Sequence, residues 1–345
     1  MVKVPEFEEL KSWDEVRGQF SQGAALLLGN GMSRSVWDRF EYPSLYETAC
    51  NVSTRPLTPE SQRLFQHVGG SNFEHVLGLL IHADIVNGGL GIADGGKVQT
   101  ARDNIRDALI DAVRWVHIPW TLMTQPNLDA IREELTKYIT VYTTNYDLLP
   151  YWALMTGDGP DRFKDFFVNG SFEKWPTGNR IPIFYLHGAL HLYTTPDYQT
   201  KKRAHADGEN LLDQFDSSFE NDNRPLFVSE GDWKGKLVSI HDSDYLTFAF
   251  ESFKKWQGKL VVFGHGLDPA VDQHVVDALA PAVTRRAAIA VYPPNSTKEL
   301  DKIRAGLRAR FPAWDVTFFD QTTHPLGLPA RKVVPPTPAA PTPAG

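Results

Sequence analysis

Six apolar, β-branched runs recur along the chain: AALLLG (24–29), YITVYTT (138–144), IPIFYLHG (181–188), KLVVFGHG (259–266), AAIAVYPP (287–294) and DVTFFD (315–320). Each is nearly continuous and is bounded by Gly, Pro or polar residues. A strand with one wet face alternates apolar and polar side chains, whereas a strand of a parallel sheet covered on both faces does not. Helical periodicity fills the gaps, in SLYETAC, DALIDAVRWV, DLLPYWALM, SDYLTFAFESFKKW and VDQHVVDALAPAV. This alternation predicts an α/β fold: a doubly wound, mostly parallel Rossmann-like sheet with right-handed crossovers.

The alternation breaks between 45 and 137, where FEHVLGLLIHADIV and RDNIRDALIDAVRWV carry helical periodicity and no strand pattern stands out. The expected organisation is a lead-in helix over 1–22 and a Rossmann-like domain over 23–44 and 138–325. An inserted helical subdomain is expected over 45–137, a loop-rich insertion around 190–224, and a Pro/Ala-rich disordered tail over 326–345. The tail sequence VVPPTPAAPTPAG holds too little apolar surface to offset its ordering entropy.

With 345 residues the chain is long enough for one large domain or two ordinary ones, at roughly 150 residues per domain. Its formal net charge of -7 argues against non-specific nucleic-acid binding, which needs a basic field to displace counterions from phosphates. The single cysteine, Cys50, excludes an intramolecular disulfide framework and a multi-cysteine zinc module, and suits a reducing cytoplasm. The first residues lack the apolar stretch of a signal peptide. No uncharged run approaches the roughly 20 apolar residues of a membrane span. The expectation is a cytoplasmic protein without membrane contact.

Chemistry-bearing residues sit where the strands should end. If LLL closes the first strand, Gly29 and Gly31 lie at its carboxyl edge and Ser33 opens the next helix. Such a turn suits a diphosphate, because glycine lets backbone N–H groups approach closely and a helix N-terminus favours an anion. Arg34 stands where G-x-G-x-x-G has its third glycine, so an unliganded strand-to-helix turn fits these residues equally well. Thr143, Thr144, Asn145 and Asp147 follow the second run, His187-Gly188 the third, and Gly264-His265-Gly266 the fourth. Four polar strand ends on one sheet edge predict a single crevice.

Other patterns read as structure. His187 and His191 would share a face on a helix, but no H-E-x-x-H glutamate is present and no metal is expected. In DPAVDQH, Asp268 and Pro269 read as a helix N-terminal cap rather than as part of a carboxylate/histidine cluster. Glu74, Glu230 and the basic KKRAH read as solvated positions. Without G-x-x-x-x-G-K-[ST] or G-x-S-x-G, P-loop ATP hydrolysis and the serine-hydrolase elbow are excluded.

GNGMS, TTNYD, LHG and FGHG together resemble the motifs of the sirtuin-like nucleotide-binding fold. They are closest to those of zinc-free bacterial sirtuin-like proteins, many of them NAD-consuming effectors of anti-phage defence. LLLGNGMSRS with FEYPSLYE, NFEHVL, TTNYDLL and LHGALHLY is similar to an uncharacterised bacterial family of that clan, over roughly Gly23 to Phe319. The resemblance implies NAD as substrate, with Asn145 and His187 as the catalytic amide and imidazole and Asp147 positioning the nicotinamide ribose or carboxamide. It implies that Gly29, Asn30, Gly31 and Ser33 hold the diphosphate, that Thr143 and Thr144 flank the site, and that Gly264, His265 and Gly266 line the adenosine side.

Two departures stand out: His265-Gly266 replaces the Gly-x-Ser of many defence effectors, and Asn30 replaces a frequent alanine. The four-cysteine zinc ribbon of sirtuin deacylases is missing, which moves the expectation from deacylation to NAD hydrolysis. Cleaving the nicotinamide–ribose bond expels a neutral leaving group and develops an oxocarbenium-like cation. Rigid positioning, a polar amide and a base near neutrality are what that step requires. The implied protein is a regulated NAD+ hydrolase of antiviral defence that forms a homo-oligomer and has a partner such as an ATPase. The alternative is a catalytically silent NAD or ADP-ribose sensor, or a partner-docking module.

Overall fold

The computed structural model describes residues 9–41, 44–93, 96–174, 178–203, 211–228, 233–280, 285–294 and 296–334, except the side chains of Glu74, Ser217 and Ser218. Twelve strands follow in chain order: β1 (Ala24–Leu28), β2 (Thr140–Thr143), β3 (Phe163–Lys164), β4 (Phe167–Val168), β5 (Ser171–Phe172) and β6 (Ile181–Tyr185). The remainder are β7 (Gly188–Thr194), β8 (Thr200–Lys202), β9 (Arg224–Phe227), β10 (Lys259–Phe263), β11 (Arg286–Val291) and β12 (Asp315–Asp320).

Seven of them build one parallel sheet in the order β12-β11-β10-β1-β2-β6-β3. Its central strands are buried along almost their whole length, every residue of β1 and β2 included, which is why they read as unbroken apolar runs. Helices Asp244–Lys255, Pro269–Leu279 and Thr297–Arg310 connect or flank the later strands. The fold is mixed α/β, Rossmann-like and doubly wound, as the alternation predicts.

Between β1 and β2 the described chain is helical, with Pro59–Val68, Phe73–Leu90, Lys97–Val116 and Gln125–Leu135 its longest helices. Two expectations change. The stretch around 190–224 contributes strands rather than loops alone: β7, β8 and β9 join β4 and β5 in a second, antiparallel sheet, β4-β5-β8-β7-β9. Most of these strands have four residues or fewer, too short to display a two-residue period. Residues 326–334, expected as part of the tail, include positions held against the domain. Leu326 is fully buried, Ser35 Oγ donates to its carbonyl at 2.8 Å, and Val333 N–H donates to Val36 O at 2.8 Å. Residues 335–345 lie outside the described residues. No helix among the described residues is long and apolar enough to cross a membrane.

Candidate functional site

The chain runs outward from β1 through β2 and β6, then returns to β10 on the other side of β1 and continues through β11 and β12. The order therefore reverses between β1 and β10. Ligands of open α/β sheets bind outside the carboxyl ends of the strands at such a reversal. A cavity of about 410 Å³ lies there, lined by Asn30 after β1, Thr144 to Asp147 after β2, His187 after β6 and Gly264 to Gly266 after β10. Lys236, Val271 and Asp272 from two later helices also line it. Its volume falls within the roughly 300–1,000 Å³ of small-molecule sites.

The two glycine turns grip each other. Gly29 N–H donates to Phe263 O at 2.9 Å and Gly31 N–H to Gly264 O at 2.8 Å. A Cβ on Gly31 would stand 2.6 Å from Gly264 Cα, and Gly264 itself has φ +68°. These glycines thus let β1 and β10 turn past one another, and their donors are engaged within the protein. Of the four residues expected at the diphosphate, only Asn30 lines the cavity. Ser33 is fully buried beneath it.

Ser33 ties the other polar groups together. Asn145 Nδ2 donates to Ser33 Oγ at 2.9 Å, and Ser33 Oγ–H donates to Asp147 Oδ2 at 2.6 Å. Leu149 N–H donates to Asp147 Oδ1 at 2.9 Å, and Asn145 N–H to Thr143 Oγ1 at 3.0 Å. Thr143 is therefore a buried brace, while Thr144 reaches the cavity. Among the described residues Asn145 Oδ1 is buried without a hydrogen-bond partner. Unmatched acceptors of this kind are uncommon in folded proteins, and this one belongs to a cavity-lining residue.

Burial raises the Asp147 carboxyl from 3.8 to about 6, against the opposing pull of its hydrogen bonds from Ser33 and Leu149. The folded state therefore holds this proton more tightly than the unfolded chain, and the group's stabilisation is lost as pH rises from about 4 to 6. A shift of this size corresponds to about 3 kcal/mol. Urea melts across that window should show wild type losing about 3 kcal/mol relative to Asp147→Asn. Parallel pH profiles would contradict the raised carboxyl.

His187 occupies the turn from β6 to β7, where Val228 N–H donates to its carbonyl at 2.7 Å. Its Nε2 lies 2.8 Å from His274 Nε2. Burial holds the His187 imidazole well below its ordinary value and lowers His274 to about 4, so both rings are neutral at pH 7. Beside them Lys236 Nζ donates to Asp272 Oδ1 at 2.9 Å, and Asp272 Oδ2 lies 3.5 Å from His265 Nε2. Burial disfavours charge on Asp272, but attraction to the His187 and His265 rings when these are protonated, together with the charge and hydrogen bond of Lys236, outweighs it and holds the carboxyl far below the usual range. At pH 7, with the rings neutral, Lys236 is the cation that remains. Leu267 N–H donates to His265 Nδ1 at 3.0 Å, which assigns that ring's proton to Nε2, facing the carboxylate.

Asp272 interrupts the helix Pro269–Leu279 with φ −131° and ψ 43°. Asp268 does cap that helix, through Ala270 N–H at 3.0 Å, as the sequence suggests. The same segment nevertheless supplies Asp272 and His274 to a carboxylate/histidine cluster, which corrects the cap-only reading. His191 does not join it: HGALH runs from a turn into β7, and the His191 ring stacks on Tyr151 at 4.3 Å.

The profile of a family described as Domain of unknown function (DUF4917) matches residues 26–325. The chain belongs to the DUF4917 family. No curated protein matches this DUF4917 chain. The matched span runs from within β1 past the end of β12, and it includes every residue named above as lining the cavity.

Within it, the structure brings Asn30, Thr144, Asn145, Asp147, His187, Gly264, His265 and Gly266 to one cavity, and leaves Gly29, Gly31, Ser33 and Thr143 beneath it. Sequence reasoning missed Lys236 and set aside Asp272 and His274. It also missed His117, a fully buried ring whose Nδ1–H donates to Ile118 O at 2.8 Å and whose Nε2 accepts from Leu148 N–H at 2.9 Å, clamping the loop after Asp147. Burial lowers its pKa to about 4, consistent with that acceptor role. Ser229, Glu230 and Gly231, the side chain of Glu74, and residues 204 and 205 of KKRAH lie outside the described residues.

Proposed function

We propose that this DUF4917 chain is a sirtuin-like, zinc-independent NAD+ hydrolase that cleaves the nicotinamide–ribose bond to give nicotinamide and ADP-ribose. The observation that carries the reading is that an amide, Asn145, and a neutral imidazole, His187, line one cavity of about 410 Å³ at the reversal of a parallel sheet. Asn145 Oδ1 is the acceptor that a ribose hydroxyl or the nicotinamide carboxamide would satisfy. The neutral His187 can take a proton from the attacking water or ribose hydroxyl as the cation develops. Nicotinamide leaves without needing an acid, so Asp147 is assigned to holding Asn145 through Ser33.

The wider reading extends this core: a cytoplasmic antiviral defence effector, restrained until a cue or a partner such as an ATPase releases it, and working as a homo-oligomer. What supports self-association is an exposed apolar series at the end of the helix Phe73–Leu90, including Ile85, Val86, Leu90 and the following Ile92.

A binding-only sensor is the second reading. It is favoured by the state of His187, whose buried ring is held well below the ordinary imidazole value with its Nε2 against His274, which weakens it as a proton acceptor without affecting binding. Incubating the purified chain with NAD+ and following nicotinamide separates the two. Release with matching ADP-ribose is expected. Saturable NAD binding by calorimetry without release in any oligomeric state would select the sensor.

A further inference from the structure

We propose that His187, Asp272 and His274 form a seat for one zinc ion at the edge of the NAD cavity, in competition with the use of His187 as a base. One ligand atom from each residue lies within 4.8 Å of the others, from a strand end and one helix. Two imidazoles and a carboxylate are a zinc ligand set that leaves a fourth position for water. At Zn–N distances of about 2.0–2.1 Å and a tetrahedral angle, two nitrogens stand about 3.3 Å apart. The His187 and His274 Nε2 atoms, now 2.8 Å apart across a shared proton, need to separate by only about half an ångström to admit a cation.

The surroundings hold the ligands ready. Lys236 orients the carboxylate by its hydrogen bond to Asp272 Oδ1, as outer partners orient metal-bound carboxylates, and His265 Nε2 faces Oδ2 at 3.5 Å. His265 is excluded as a ligand by the Leu267 N–H on its Nδ1, which leaves its only proton on Nε2. Asp272 reaches the cluster because it breaks its helix: residues two apart on a regular helix point to different sides, yet here 272 and 274 converge. The Lys236 ammonium opposes a second cation, so the seat favours zinc, whose bonds to imidazole offset that repulsion, over magnesium or calcium, which bind through oxygen.

A seat at this position has a direct consequence for the chemistry proposed above. Zinc bound to Nε2 fixes His187 in the cluster and withdraws its electron density, leaving a poorer base at the cavity wall.

The test titrates zinc sulfate into chelator-stripped full-length chain without NAD, by calorimetry with equilibrium dialysis. One equivalent is expected to bind, with magnesium in tenfold excess failing to displace it. His274→Gln and Asp272→Asn should each lose at least tenfold in affinity, the loss that removing even an outer hydrogen-bond partner of a metal ligand causes. The exposed His67→Ala should bind as wild type. Circular dichroism melts of each variant show whether a loss reflects an unfolded chain, and Asp272→Asn keeps the shape of the side chain should His274→Gln fold poorly. Substoichiometric binding, or full affinity in both cluster variants, would overturn the proposal. Because binding is read without NAD, its failure is separate from a failure of NAD cleavage.

Discussion

His187→Ala should lower nicotinamide release from NAD+ by roughly 10²–10⁴-fold, the range a positioned general base supplies, while NAD still binds. The ring is neutral at pH 7 and so can accept a proton, although burial makes it a weaker base than the near-neutral one the step favours, which places the expected loss toward the lower end of that range. It is also fixed: Val228 N–H holds its backbone and His274 its Nε2. Asn145→Ala should cost a similar factor, since it removes both the unmatched Oδ1 acceptor and the donor that orients Ser33. The measurement is steady-state nicotinamide release, with calorimetric NAD affinity beside it. Loss of binding together with turnover would assign the two residues to holding NAD rather than to chemistry, and unchanged release from His187→Ala would end the catalytic reading.

Gly188→Ala should cost about 4 kcal/mol of folding stability, enough to unfold much of the protein near 37 °C in a marginally stable chain. Two penalties coincide. Gly188 turns the chain from β6 into β7 at φ +70°, a conformation that costs an L-residue roughly 1–2 kcal/mol. An added Cβ would also stand 2.1 Å from Leu226 O and 2.8 Å from Leu226 C, backbone atoms of β9 that pair in the same sheet and cannot swing aside. Forcing them apart adds roughly 1–3 kcal/mol. Because His187 is the preceding residue, a variant that does fold should show weakened NAD binding as well. Chemical denaturation measures the first effect, and a loss below about 1 kcal/mol would contradict the close approach of β7 and β9.

The parallel sheet was legible because its strands are covered on both faces, so AALLL and KLVVF admit no polar residue that would hide their boundaries. Asn145, Asp147 and His187 were legible for a related reason: a polar residue at the end of such a run has no outward face to occupy and must meet either a partner or a ligand. The second sheet was hidden because strands such as Phe167–Val168 and Ser171–Phe172 carry two residues each. Asp272 and His274 were visible as letters and illegible as a pair, since only the interruption at 272 brings them together. Lys236 and His117 had no local signal, because their partners Asp272 and Leu148 lie 36 and 31 residues away and are joined only by tertiary folding. Gly29 and Gly31 show the converse: in sequence a glycine turn looks the same whether it approaches a ligand or, as the N–H groups of these two do, another turn.

The position of β1 has a bearing on how the molecule comes into being. Its neighbours are β2 and β10, so Leu26 pairs with Val141 on one side and Val261 on the other, with no partner nearby in the chain. During synthesis the first strand is made early, yet one of its edges stays bare until residue 263 has left the ribosome. Ordering it waits on closing very long loops, which slows folding and exposes an apolar edge meanwhile. A growing DUF4917 polypeptide therefore completes its cavity only once β10 and the turn after it have emerged, and fragments ending before β10 would lack one wall of it.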